Sequence, residues 1–288
     1  MATSRSGRPR LSVVIPAYNE RSTIEEILWR VQSIGIEKEL IVVDDGSVDG
    51  TREFLQQVGD AAARGVEQIH LASIGRPLPL RGIRIFFQPA NAGKGAALRR
   101  GFAEARGEIV VVQDADLEYD PRDLVRLLEP IERGLADVVF GSRFIGGGAH
   151  RVLFFWHSVG NKVLTLLSNV LTNLNLTDVW TCYKAFRAEV LRGLTIQEDR
   201  FGFEPEITAK VAKAGWRVYE APISYFGRTY AEGKKIGWRD GVRGIWCTVR
   251  YNLFSRVPRA PIASRVAGWM PARLTPGADL AAIPARDT

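Results

Sequence analysis

The stretch "EIVVVQDADLEYDP", residues 108–121, decides how the chain is read. Four apolar residues, Ile109 to Val112, predict a strand buried on both faces. Directly after it come Asp114, Asp116, Glu118 and Asp120. Carboxylates crowded at a strand end repel one another, and a cation among them removes that penalty. Asp-x-Asp supplies oxygen ligands suited to Mg²⁺ or Mn²⁺, with other positions left to water and phosphate. The same acids also suit a helix N-terminus, and Glu118 and Asp120 before Pro121 fit that role.

Strands and helices alternate outward from this point. Apolar runs at 11–15, 39–45, 82–88, 108–113 and 136–142 predict strands. Between them lie helical patterns, beginning with "RSTIEEILWRVQSIG". There Ser22 is read as the cap, Glu25 as its capping-box partner and Gly35 as the stop. Asp49 and Gly50 are read as turn and cap of the next helix. Continuous apolar runs joined by helices predict an α/β domain with a Rossmann-like, mostly parallel central sheet flanked by helices. Ligands of such sheets lie beyond the carboxyl ends of the strands, here at 16–20, 44–47, 91–94 and 114–118. The insert at 59–83 contains "RPLPLRG", which reads as an exposed loop.

"NAGKGAA" invites a Walker reading, but Gln88 stands where that motif needs Gly and Gly95 follows Lys94. A Gly-rich turn carrying Lys at a helix start either binds phosphate or is a plain turn. Past residue 144 the pattern loosens. Residues 152–174 form a helix with a broad apolar face, and polar residues including His157 recur at helical spacing. His70 and His150 form no cluster.

The 288 residues carry a formal charge of +7. That charge points to an anionic partner: nucleic acid, an anionic membrane surface or a phosphorylated substrate. No basic strip interleaved with aromatics supports nucleic acid. Cys182 and Cys247 make neither a disulfide framework nor a zinc spacing, which fits a cytoplasmic, reducing compartment. No signal peptide or membrane-spanning run is evident. The expected organisation is a flexible basic N-terminus (1–10), one catalytic domain (11–255, divided into 11–144 and 145–255) and a disordered tail (256–288).

The motifs "VVIPAYNE", "IVVDDGSVDGT", "NAGKGAALRRGF", "DADLE" and "GSRF" follow in order and resemble the GT-A nucleotide-sugar domain of glycosyltransferase family 2. The segment "FGFEPEITAKVAKAGWRVYEAPISYFGRTYAEGKK" is similar to the dolichyl-phosphate mannose or glucose synthase branch. The resemblance implies an inverting, metal-dependent hexosyltransferase with a nucleotide-sugar donor, GDP-mannose or UDP-glucose in type. Its acceptor would be a polyprenyl phosphate met at the membrane surface. The alternatives are a glycan, glycolipid or small-molecule hydroxyl acceptor, or a nucleotide-sugar-binding protein without turnover.

Carried over residue by residue, Pro16, Ala17, Tyr18 and Glu20 would contact the nucleotide, with Val43 beside them and Asp44 or Asp45 reading the base. Asp114, Ala115 and Asp116 would form the metal and diphosphate signature, with Asp114 and Asp116 holding Mg²⁺ or Mn²⁺. Glu118 stands where the family often has Gln. Lys94 would lie near the nucleotide, Arg143 would pair with a phosphate, and Arg228, Lys234 and Lys235 would close over the phosphates. A phosphate acceptor is already ionised near neutral pH and needs no base. A hydroxyl acceptor would need one, with Asp178, Glu204 and Glu206 as candidates and Glu206 fitting the family's acidic position best. Leu153, Phe154, Phe155 and Trp156 would lead the 152–174 helix into a bilayer interface, or its apolar face would pack on the domain.

Overall fold

The computed structural model describes residues 8–146, 154–228 and 238–260. Its centre is β1 (Leu11–Ala17), where the apolar run continues through Pro16. Alternate β1 residues serve opposite faces of the sheet: Leu11, Val13 and Ile15 enter one hydrophobic core and Val14 the other. Parallel partners flank it, β2 (Lys38–Asp44) on one side and β6 (Ile109–Val112) on the other. Further elements are α1 (Ile24–Gln32), α2 (Thr51–Ala63), β3 (Gln68–Leu71), β4 (Arg76–Pro79), β5 (Ile83–Phe87), α3 (Lys94–Glu104), α4 (Leu124–Glu132) and β7 (Val138–Ser142). Then come α5 (Phe155–Thr172), β8 (Lys184–Arg187), α6 (Ala188–Arg192), α7 (Phe203–Ala214), β9 (Val218–Pro222) and α8 (Trp238–Leu253).

The seven-stranded sheet runs β5-β2-β1-β6-β8-β7-β9, with β8 antiparallel to both of its neighbours. Residues of α1, α2 and α4 fill the first core; residues of α3 and α7 fill the second. The chain leaves β1 toward β2 on one side and reaches β6 on the other, so the crevice between the carboxyl ends of β1 and β6 is the topological switch point. Both acid-bearing motifs open onto that end.

Several local expectations change. Helix α1 starts one residue later than the Ser22 cap implies, and no side chain caps it. Glu25 instead accepts the amide (3.1 Å) and hydroxyl (2.7 Å) of Ser73, so its charge ties the insert to the domain. That insert is a hairpin, β3 against β4, and Leu78 and Leu80 of "RPLPLRG" are buried rather than looped out. The 152–174 helix is α5, beginning at Phe155; residues 147–153, with His150 and Leu153, lie outside the described residues.

The tail expectation is mostly outside them too, but residues 256–260 belong to the domain. Val257 packs on the second core, and the Ala260 amide donates to the Ala214 carbonyl at 2.8 Å. At the other end Arg10 pairs with Glu132, and residues 1–7 are not described. No helix among the described residues is long and apolar enough to cross a membrane.

The glycines of "NAGKGAA" serve contact with the 198–200 loop. A Cβ on Gly95 would stand 2.1 Å from the Glu198 carbonyl, and one on Gly93 2.4 Å from that of Asp199. Gly95→Ala is therefore expected to cost about 1–3 kcal/mol by overpacking and to lower Tm by several degrees. Gly35→Ala, whose Cβ would meet nothing within 4 Å, is the thermal-unfolding control and should leave Tm nearly unchanged.

Candidate active site

Strand β6 stops at Val112, and the next amide, Gln113, still donates to the Val14 carbonyl at 2.9 Å. The chain then turns through Asp114–Glu118, with Leu117 at φ 62°. A branched residue in that left-handed region costs about 1–2 kcal/mol. The turn brings the Glu118 amide to Asp116 Oδ1 at 3.0 Å and sets the two acids side by side. Burial, with Asp114 and Glu118 adding their charge, pushes the Asp116 carboxyl up to about 7. Asp116 is thus an acid held where its charge is costly.

Two cations answer this charge. Lys94, first residue of α3, places Nζ 2.9 Å from Asp114 Oδ1 and 3.4 Å from Glu204 Oε1, and donates to Cys182 Sγ. Burial opposes its charge, but the Asp114 and Glu204 carboxylates, with the hydrogen bond to Cys182, outweigh burial and raise its pKa well above the ordinary value. Burial also pushes the Cys182 thiol up, so it stays protonated. Arg228 comes from the far end of the domain. Its amide donates to Glu118 Oε1 at 2.7 Å, and its guanidinium donates to Glu20 at 3.0 Å and to the Asp116 carbonyl. Tyr225 donates to Glu118 Oε2 at 3.0 Å. The 225–228 segment is thereby strapped over the acid edge.

Arg143 lies behind this strap. It grips Asp178 with two bonds, 2.6 and 2.8 Å, and its guanidinium stands 4.9 Å over the Tyr225 ring. The pair raises the Arg143 pKa well above its ordinary value against the burial that opposes it.

The nucleotide-side residues divide. Asp45 accepts Gln88 Nε2 and the amides of Ala92 (2.9 Å) and Gly93 (2.7 Å), so it holds the Gly-rich loop. Asp44 is fully buried, paired with Arg52 at 2.7 Å and capped by the Ser47 amide. Val43, Ala17 and Ala115 bury their side chains in the cores, leaving only their backbones to face a ligand. Pro16 and Tyr18 are half-buried at the switch point. The amides of Ala92, Gly93 and Ala96 are bonded to Asp45 and Asp199, so this part of the Gly loop acts as a packing turn.

Two of the base candidates are corrected. Glu206 is fully buried and accepts the amides of Gln197 (2.8 Å) and Glu198 (2.7 Å) and the Lys210 ammonium. It braces the 195–198 turn and presents no free oxygen. Asp178 is likewise saturated by Arg143 and Asn161. Glu204 differs, since its Oε2 is buried without a partner in the described structure. Lys234 and Lys235 lie outside the described residues. Sequence reasoning missed Tyr225 and Cys182. The three-residue interval from Tyr225 to Arg228 is visible in "YFGR", whereas nothing local marks Cys182.

Asp114 and Asp116 form an all-oxygen pair at the edge of a crevice, and no cluster of three or more metal-ligating side chains exists among the described residues. That donor set fits a hard divalent ion held by one or two carboxylates and completed by a ligand's phosphates. Asp116→Asn is expected to leave Tm unchanged or raise it, because repulsion from Asp114 and Glu118 falls away. The same change should abolish Mn²⁺ uptake measured by calorimetry. Retained uptake would place the ion elsewhere.

The family description "Glycosyl transferase family 2" matches residues 12–195, more than half of the chain. An undecaprenyl-phosphate mannosyltransferase of Micrococcus luteus is 31% identical over 256 residues, 86% of this chain and 96% of that protein. A polyprenol monophosphomannose synthase of Mycolicibacterium smegmatis is 31% identical over 87% of this chain and 90% of its own length. Among solved structures, the glucosyl-3-phosphoglycerate synthase of Mycobacterium tuberculosis shares the fold. Its complex with Mn²⁺, UDP and glucosyl-3-phosphoglycerate superposes with a TM-score of 0.60 at 21% identity, covering 88% of this chain and 82% of that one. Its UDP complex gives 0.61 at 20% identity, over 88% and 83%. The chain has the GT-A fold, and it is a glycosyltransferase belonging to family 2.

Proposed function

We propose that this glycosyltransferase moves a hexose from a nucleotide sugar to a polyprenyl phosphate at a membrane surface, with inversion at the anomeric carbon. The observation that carries the reading is the Asp114–Asp116 edge roofed by Arg228, at the switch point where such sheets bind nucleotides. Both polyprenyl-linked relatives carry mannose in their names. GDP-mannose is therefore the first donor to test, beside UDP-glucose.

Asp114 and Asp116 would hold the divalent ion, which when bound supplies positive charge against the departing diphosphate. Arg228 sits where its fork can neutralise the same phosphates, and Glu20 and Glu118 fix its direction. Arg143, held by Asp178 and the Tyr225 ring, presents a second cation behind it for the donor or acceptor phosphate. The nucleophile needs no activation if it is a phosphate monoester, whose second pKa is about 6. Asp178 and Glu206 are saturated, and Glu204, the remaining candidate, is 3% exposed and paired with Lys94. This favours such an acceptor over a hydroxyl, which would require a free, reachable base.

Helix α5 supports the membrane part. Its buried residues are the polar Thr165 and Ser168, while Trp156 (78% exposed), Leu166 (64%) and Val170 (72%) face outward. Part of the apolar face packs on the domain, where α5 meets α7 and α8 and Leu164 and Leu167 are half-buried, and the outward stripe is what remains for a membrane. The helix has no acid and carries exposed Lys162, a composition suited to anionic headgroups.

Two outcomes are expected. Purified protein with GDP-mannose or UDP-glucose and Mn²⁺ should glycosylate a polyprenyl phosphate but not the matching polyprenol, and Asp116→Ala should lower the rate at least about a hundredfold. Transfer to polyprenol alone would replace the acceptor assignment. In vesicle co-sedimentation, Leu166→Ser with Val170→Ser should reduce binding to anionic vesicles about tenfold or more, while turnover of a short soluble prenyl phosphate persists. Unchanged sedimentation would remove α5 from the membrane contact.

A further inference from the structure

The position of Glu204 has no explanation in the fold alone. It is 3% exposed, stands in the first turn of α7, and points one oxygen at Lys94 while the other, Oε2, has no partner among the described residues. A buried carboxylate normally fills both oxygens, as Glu206 two residues later does with two amides and an ammonium. An unfilled oxygen beside a lysine points to a second position for that lysine.

Lys94 has three donors. They reach Asp114, at 2.9 Å from Oδ1 and 3.2 Å from Oδ2, and Cys182, with Glu204 Oε1 further off at 3.4 Å. Asp114 is therefore occupied by an internal cation on the edge where the divalent ion would bind. Two cations on one carboxylate repel, so the ion and the ammonium compete for it. The backbone of Lys94 cannot retreat, because Gly93 and Gly95 pack against the 198–200 loop. Only the side chain has freedom, and it needs a buried anion to keep its charge.

We propose that Glu204 is a positioning residue that receives the Lys94 ammonium when a divalent ion takes Asp114. Glu204 then holds the ammonium beside the diphosphate and lowers the cost of loading the ion. The inference rests on the assignment of the ion to Asp114 and Asp116. Cys182 stands between the two positions, accepting from Lys94 and lying 4.0 Å from Glu204 Oε1.

The test is Mn²⁺ titration without nucleotide, followed by electron paramagnetic resonance, on four proteins: wild type, Glu204→Gln, Lys94→Met and the double variant. Lys94→Met should bind Mn²⁺ several-fold more tightly because the competing cation is gone. Glu204→Gln should bind about tenfold more weakly, since Lys94 then has only Asp114. In the Lys94→Met background, Glu204→Gln should have almost no effect. Equal weakening with and without the lysine would overturn the proposal and make Glu204 either an ion ligand or a structural acid. No effect in either background would overturn it as well. Should Glu204→Gln not fold, Glu204→Asp replaces it in the same cycle; it keeps the charge at a greater distance and should weaken Mn²⁺ binding only in the presence of Lys94. Asp116→Asn separates the two assignments: if it leaves Mn²⁺ affinity intact, the ion site itself is misplaced.

Discussion

Mutual repulsion among Asp114, Asp116 and Glu118 at the end of β6 is the constraint around which this molecule is arranged. The strand is dry on both faces, and the acids follow within a turn tight enough to force Leu117 to positive φ. Nothing in the packing of β6 requires them. Their cost is met by two cations from opposite ends of the chain, Lys94 at the start of α3 and Arg228 beyond β9. Other acids aim those cations: Glu20 pairs with the Arg228 guanidinium, Glu118 holds the Arg228 amide, and Glu204 sits behind Lys94. The charge balance is local and buried, so bulk salt screens it little.

This arrangement explains why residues distant in sequence depend on one another. The 225–228 strap ties the segment after β9 to the acids through Glu118, and the Tyr225 ring passes the same contact on to Arg143 and Asp178. The 198–200 loop fits so closely over Gly93 and Gly95 that the start of α3 has no room to move. Lys94 is therefore delivered by a rigid element, as a charge that must be placed within an ångström requires. The exposed stripe of α5 has the opposite character, since it leaves apolar side chains in water with polar ones beneath. A helix built this way makes sense beside a surface that supplies the missing apolar medium.

Much of the sheet was legible because β1, β2 and β6 are runs of Val, Ile and Leu closed by turn residues, and the acids at their ends stand out against them. Strand β8 was not legible. "KAFR" is short and carries Lys184, whose ammonium is buried and donates to the carbonyls of Val179 and Thr181. Burial lowers its pKa to about 8, a tertiary effect no local pattern reveals. The hairpin at 68–79 was hidden by two prolines that sit in a two-stranded ribbon outside the main sheet.

At the site the residue types were readable and their partners were not. Glu206 and Asp178 carry the acids a base would need, but whether a carboxylate is free depends on amides and cations brought in by other segments. Glu204 and Glu206 are two residues apart in one helix; only their surroundings separate an acid with a spare oxygen from one that is saturated. The family motifs mark this edge, and tertiary contacts decide which of its residues remain available.

The central claim is that Asp114 and Asp116 grip a divalent ion that carries the donor's diphosphate. It is tested most directly by anomalous diffraction at the manganese edge from crystals grown with Mn²⁺ and a nucleoside diphosphate. The account predicts one strong peak within bonding distance of an Asp116 oxygen and of a phosphate oxygen, with the Lys94 ammonium moved toward Glu204. A bound diphosphate with no ion beside Asp116, or an ion held by other side chains, would contradict it.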